Sequence, residues 1–202
     1  MLESDGLAFS MYNETQPEEE VSALFQVWLN ERLSPTLLPY ATELISNLLE
    51  LIANQQALLS EQLDAHLNTL YQMEVERLRY VIASYLRCRL AKIEAYWIYW
   101  LKDETLLSPE ERVYLGRYAK CKAKAFEGSV LKHLPAGLAE LPTDELVAQP
   151  KTDAHVICRV LEEVGTVRVH RDMTADLQKN DIYVLRFRLA EELLHLNKVA
   201  LI

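Results

Sequence analysis

Two carboxylates invite a catalytic reading first. Glu74 and Glu76 lie in a stretch with helical periodicity, where an offset of two sets side chains about 200° apart around the axis. They do not converge on one proton or one metal ion. Glu74 with Arg77, and Glu76 with Arg79, instead have the i, i+3 spacing of ion pairs along a helix. His155 and Cys158 are the closest His/Cys pair. They sit in a stretch with strand-like alternation, where an odd offset sends them to opposite faces, so they read as structural residues rather than metal ligands. A Gly-x-x-x-x-Gly-Lys phosphate loop is absent, as is a Gly-x-Ser-x-Gly nucleophile turn, and 5 glycines cannot build a glycine-rich cradle. The expectation is a chain without enzymatic activity, metal, cofactor or small-molecule substrate.

Charge gives a second candidate. Arg112, Arg117, Lys120, Lys122, Lys124 and Lys132 could meet phosphates, which makes a DNA-binding helical module on the 112–132 face the alternative function. A solvated helix face with Leu115, Tyr118, Ala119 and Phe126 turned inward accounts for the same pattern, and no aromatic interleaving at strand spacing is present to stack bases. The formal net charge of -9 argues against a protein whose main task is to coat nucleic acid. The first twenty residues carry Glu3, Asp5, Glu14, Glu18, Glu19 and Glu20 and no Lys or Arg. Cys88, Cys121 and Cys158 are odd in number and widely spaced, which suits a reducing compartment. No secretory leader is expected, and no apolar run approaches the roughly 18 residues needed to cross a bilayer.

The elements that must position these residues divide into two halves. Residues 1–14 read as a flexible acidic lead-in. Thr15 with Glu18 has capping-box spacing, and Val21, Leu24, Phe25, Trp28 and Leu29 continue a first helix to about Arg32. A second helix over about 40–60 carries apolar residues on more than one stripe, which implies burial on more than one side and a partner to supply it. A third helix is expected unbroken over about 63–101, with Tyr71, Val75, Leu78, Ile82, Leu86, Leu90, Ile93, Trp97 and Trp100 in steps of 3 or 4. Ser108-Pro109-Glu110-Glu111 starts a fourth helix that ends before Pro135. Residues 134–152 read as a linker. Beyond it, 156–161, 166–170 and 182–187 alternate as strands, about 190–196 as a short helix, and 199–202 as a last strand. The fold class is therefore α+β: a helical domain over 15–133 with a long central helix, then a small β-rich domain over 153–202. So small a module is marginal alone and should dock.

The third helix is richer in arginine than a simple core helix. It runs Gln72-Met73-Glu74-Val75-Glu76-Arg77-Leu78-Arg79-Tyr80-Val81 and then Ser84-Tyr85-Leu86-Arg87-Cys88-Arg89-Leu90-Ala91-Lys92-Ile93-Glu94. Arginine suits partly buried pairing because its planar fork makes several hydrogen bonds and stays charged. This run strongly resembles the Sld-five family of subunits of the eukaryotic GINS complex, whose pattern is QME-x-ER-x-RY followed by SYLRCRL-x-KIE. The resemblance continues at Leu131-Lys132-His133-Leu134-Pro135 and at the closing Val199-Ala200-Leu201-Ile202. It departs at the aromatic cluster Tyr96-Trp97-Ile98-Tyr99-Trp100 and at the basic run Lys120–Lys124.

The resemblance implies a nuclear, non-catalytic subunit of a heterotetramer with the three Psf subunits. It further implies joining the MCM ring and the Cdc-forty-five protein in the CMG replicative helicase, with DNA contact indirect or weak. On this reading Tyr80, Tyr85, Leu86, Arg87, Arg89, Leu90 and Ile93 are expected at subunit interfaces, with Glu74, Glu76, Arg77 and Arg79 as pairing residues. Chain ends usually fray, so the apolar Val199, Leu201 and Ile202 point to a docked end.

Overall fold

The computed structural model describes residues 17–58, 65–135, 147–170 and 173–202. The expected lead-in over 1–14, the cap at Thr15 and most of the expected linker lie outside them.

Helix α1 (Pro17–Leu33) opens with Glu18, Glu19 and Glu20 in its first turn and carries Arg32 in its last, complementing the helix dipole at both ends. Helices α2 (Thr42–Leu58) and α3 (Ala65–Ala95) pack against it. Leu24 of α1, Ile45, Leu48 and Ile52 of α2, and Val75, Ile82 and Tyr85 of α3 form their shared core. The Trp28 indole N–H donates to Ser84 Oγ at 3.0 Å and pins α1 to α3.

With 31 residues, α3 is about 46 Å long at 1.5 Å per residue. It does not continue to residue 101. The backbone leaves helical geometry at Tyr96 (φ -123, ψ 36), and a separate turn, α4 (Trp97–Trp100), follows. No Pro or Gly forces this break. What the turn gains is burial of Trp100, 2% exposed, among Leu37, Ile93, Leu107 and Leu115. Helix α5 (Pro109–Ser129) starts from a complete capping box: Glu111 N donates to Ser108 Oγ at 3.2 Å, and Ser108 N donates to Glu111 Oε2 at 2.9 Å.

The second half of the chain is strand-rich. Strands β1 (His155–Val160), β4 (Ile182–Arg186) and β5 (Val199–Leu201) make an antiparallel sheet in the order β4-β1-β5. Strands β2 (Gly165–His170) and β3 (Met173–Leu177) form a separate hairpin, and β3 was not expected from the sequence. Val156, Cys158 and Val160 point inward, opposite Leu185, Tyr183, Leu201 and Val199. Helix α6 (Phe187–His195) covers this core with Phe187, Ala190, Leu193 and Leu194. Phe187, expected to end a strand, is the first helical residue. No side chain caps α6. Instead Phe187 N donates to Ala154 O at 2.8 Å and Arg188 N to Thr152 O at 3.0 Å, so the loop before β1 satisfies the helix start. At its far end Asn197 takes φ 55, with Lys198 N donating to Leu193 O and Asn197 N to Leu194 O, both at 2.9 Å. This Schellman geometry turns the chain directly into β5.

The β-rich module docks on α1. Leu201 N donates to Asn30 Oδ1 at 2.9 Å, and Gln26 Nε2 donates to Leu201 O at 3.4 Å. Ala200, on the opposite face of β5 from Val199 and Leu201, is also buried, because α1 lies against that strand. Leu38, just after α1, packs on the core of the β-rich module.

Candidate assembly surface

A buried set of charges holds the helical domain in one shape. Arg89 is fully buried, and all five of its N–H groups are used. Nε and Nη2 grip the two Glu111 oxygens at 2.7 and 3.0 Å. Nη1 donates to Glu31 Oε2 at 3.0 Å and Leu38 O at 2.6 Å, and Nη2 reaches Leu106 O at 2.9 Å. The rings of Tyr40 and Tyr85 flank the guanidinium at 5.2 and 5.7 Å. Burial alone would lower the Arg89 pKa, but the Glu111 hydrogen bonds and the Glu31 charge outweigh it and raise it above the ordinary arginine value. Lys92 completes the set. Its Nζ donates to Glu31 Oε1 at 2.7 Å, Ser34 Oγ at 2.8 Å, Thr36 O at 2.9 Å and the Glu31 carbonyl, closing the C-terminal end of α1. Two cations thus balance two carboxylates where α1, α3, α5 and the loops between them meet.

None of these groups is arranged as a reactive site. Burial pushes the Tyr85 phenol up to about 12 and raises the Cys88 and Cys158 thiols. Among the described residues no group of three or more His, Cys, Asp or Glu side chains could hold a metal ion, and no helix is long and apolar enough to cross a membrane. His155 and Cys158 face opposite sides of β1. Arg77 grips both Glu74 oxygens at 2.8 and 2.6 Å, and those hydrogen bonds hold the Glu74 carboxyl below its usual range. Arg79 is aimed elsewhere than at Glu76: its Nη2 donates to Gln56 Oε1 of α2 at 2.6 Å.

The residues expected at interfaces divide into two sets. Tyr85, Arg89 and Ile93, together with Val199 and Leu201, are buried in the chain's own cores. Tyr80 is 63% exposed, Arg87 is exposed, Leu86 and Leu90 are half-buried, and Ile202 is 38% exposed. Leu86 and Leu90 line a groove of about 330 Å³ with Tyr40 and Tyr114, over Ser108 and Glu111. Tyr114 of this lining donates a hydrogen bond to Glu94, which raises the Tyr114 pKa.

Among the described residues, further large apolar side chains lie exposed. Leu49 and Leu51 of α2 are exposed, as are Leu67, Leu70, Tyr71 and Met73 along the first turns of α3. Leu49 and Leu51, two residues and so about 200° apart on α2, flank the buried stripe of Ile45, Leu48 and Ile52 on opposite sides, so they widen that face rather than make a second apolar side. On α5, the stripe that is buried at Leu115 and Ala119 continues through Ala123, Phe126 and Val130, where Phe126 is 44% and Val130 45% exposed. Phe126, expected to turn inward, therefore lies open, because α5 runs past the end of the bundle that covers its first half. Sequence reading missed this surface, although the spacing of 4, 4, 3 and 4 from Leu115 to Val130 is its signal. Of the basic residues, Arg112, Arg117, Lys120 and Lys124 are exposed, while Lys122 lies over the Tyr118 ring at 5.4 Å.

Comparison with known proteins matches two stretches of the chain. Residues 36–129 match the GINS complex protein helical bundle domain, and residues 150–202 match the C-terminus of DNA replication complex GINS protein SLD5. The chain is 31% identical over 201 residues to the DNA replication complex GINS protein SLD5 of Bos taurus, covering 92% of this chain and 90% of that one. It belongs to the SLD5 family of GINS proteins. The Schizosaccharomyces pombe protein of that name is 33% identical, with 93% and 94% covered, and the Arabidopsis thaliana one 27% identical, with 95% and 94% covered. In this SLD5-family chain the helical-bundle match ends at the last residue of α5, the helix whose outer half is bare.

Proposed function

We propose that this chain is the non-catalytic SLD5 subunit of a nuclear GINS heterotetramer, binding the three Psf subunits through its helices. Through that tetramer it serves, with the MCM ring and the Cdc-forty-five protein, in the CMG helicase that initiates and extends chromosomal DNA replication. The observation that carries this reading is the exposed apolar stripe of α5, together with the exposed apolar side chains of α2 and α3, on a helical frame held by buried charge. Monomeric proteins rarely leave a large contiguous apolar patch bare. Tyr80, Leu86, Arg87 and Leu90 are the interface residues of α3 that remain accessible. Tyr85, Arg89 and Ile93 act on the interface by holding the helix that presents it.

Co-expression tests the reading. The chain with the three Psf proteins is expected to elute as a 1:1:1:1 complex; a well-folded monomer that ignores them would sink the proposal. Phe126→Glu with Val130→Glu changes only exposed positions and should leave thermal stability nearly unchanged, since surface substitutions usually stay within about 0.5 kcal/mol. The same pair should cut recovery of the complex at least about tenfold, because a charge placed in a buried apolar contact costs several kcal/mol. Undiminished recovery would remove the outer half of α5 from the interface.

A further inference from the structure

The two edges of the three-stranded sheet are treated differently. On β5, the outward N–H and C=O of Leu201 meet Asn30 and Gln26, so α1 caps that edge with side-chain amides. At the other edge, among the described residues no strand pairs with the outer side of β4. Ile202 N donates to Ile157 O, which turns the backbone of Ile157 toward β5 and that of Val156 and Cys158 toward β4. The register pairs Cys158 with Tyr183 and Ile157 with Val184. Tyr183 and Leu185 therefore bond inward to β1, while the N–H and C=O of Ile182 and Val184 point out from the open edge.

The side chains at that edge are also bare. Ile182 is 57%, Val184 62% and Ile157 49% exposed, forming an apolar row on the outer face. Its other outer-face positions on β1 and β4 are His155, Arg159 and Arg186, none of them acidic. Open edges are ordinarily blunted by a charge or a proline on the edge itself, or by a covering element. Here the middle of the edge carries β-branched apolar residues, and the charged side chains on its outer face, Arg159 and Arg186, are positive, while Asp181 precedes the strand and Asp153 and Glu192 line a pocket with Arg186.

We propose that β4 is a docking edge for an extended segment of a sister subunit in the assembly, which adds as a fourth strand and carries carboxylates among its apolar residues. Main-chain bonds to Ile182 and Val184 give this segment its register, as in other strand additions. Its apolar side chains cover Ile157 and Val184, and its carboxylates answer Arg159 and Arg186. The proposal rests on the subunit reading above but uses a surface separate from the helices.

The test uses the co-expressed tetramer and hydrogen exchange read at single amides. On a bare edge the outward amides of Ile182 and Val184 would exchange at least about 100-fold faster than the inward amides of Tyr183 and Leu185. In the tetramer all four are expected within about tenfold of one another. Val184→Pro removes the outward donor at a position where an edge strand tolerates proline, whereas Val184→Thr keeps it. The proline variant should hold its partners at least about tenfold more weakly than the threonine variant, with both melting like the parent chain. Fast outward amides in an intact tetramer, or equal affinity of the two variants, would overturn the strand addition and leave the helical assembly standing. Failure to form a tetramer at all would overturn both. An outward edge protected equally in the chain alone would assign the edge to a segment of this chain and overturn the sister-subunit occupant.

Discussion

Arg89→Met is expected to lower the melting temperature by about 6 to 20 °C. The methionine fits the volume of the arginine stem, but Glu31 and Glu111 stay buried after their shared cation is gone. Removing one partner of a buried pair costs about 3–5 kcal/mol. In a domain of this size each kcal/mol moves the midpoint by about 2–4 °C. Glu31 keeps Lys92, so the loss falls mainly on Glu111, which also closes the capping box of α5. The start of α5 should therefore loosen first, and with it the groove lined by Leu86 and Leu90. Arg89→Lys keeps the charge but cannot supply five donors in a fork, so it should cost at least half as much as methionine. Adding Glu111→Gln to Arg89→Met removes the orphaned charge and should recover part of the loss. Thermal unfolding followed by circular dichroism measures all three. A midpoint shift below about 2 °C for Arg89→Met would show that the buried charges do not hold the frame.

The same residue marks how far the sequence can be read. Steps of 3 and 4 place Val75, Ile82 and Ile93 on one side of a helix, and all three are buried, because helical periodicity is a local property. That Arg89 is fully buried is not local. Its partners Glu31 and Glu111 lie 58 and 22 residues away, and no spacing rule connects them. The arginine-rich run is visible, but its division into buried Arg89 and exposed Arg87 depends on which helices cross α3 and where.

Other departures have the same origin. Nothing between Leu63 and Leu101 breaks a helix by propensity, yet the chain turns at Tyr96 because Trp100 gains a buried site under α5. Strand β3 is Met-Thr-Ala-Asp-Leu, with little strand propensity of its own, and it exists through its pairing with β2. Helix α6 has no capping residue to announce it, since Arg186 stands at its N-cap and backbone carbonyls of Thr152 and Ala154 take its first N–H groups. In contrast, Ser108-Pro109-Glu110-Glu111 announces α5 from four residues because a capping box is local. The assembly surface follows the same rule: the apolar stripe of α5 can be read from spacing, but its bareness depends on where the bundle ends.

Leu201→Asp should unfold the β-rich module while leaving the helices formed. Leu201 is fully buried, opposite Cys158, in the core shared by β1, β4, α6 and β5. Losing the leucine costs about 1.5–3 kcal/mol of burial, and the carboxylate adds several more unless it is protonated. A module of about fifty residues has little stability to set against that. Asn30→Ala separates folding of the module from its docking. It leaves the core intact but strands the Leu201 N–H, at a cost of about 1–3 kcal/mol for a buried unsatisfied donor. Amide exchange distinguishes the two. With Leu201→Asp, the inward amides of Cys158 and Val160 should lose at least about 100-fold in protection. With Asn30→Ala they should keep it, and the change should be confined to β5 and the facing turn of α1. Full protection of β1 in Leu201→Asp would mean that the last strand is dispensable to the sheet. The asymmetry expected here follows from the double use of β5, whose side chains complete a core while its outer backbone edge holds that core against α1.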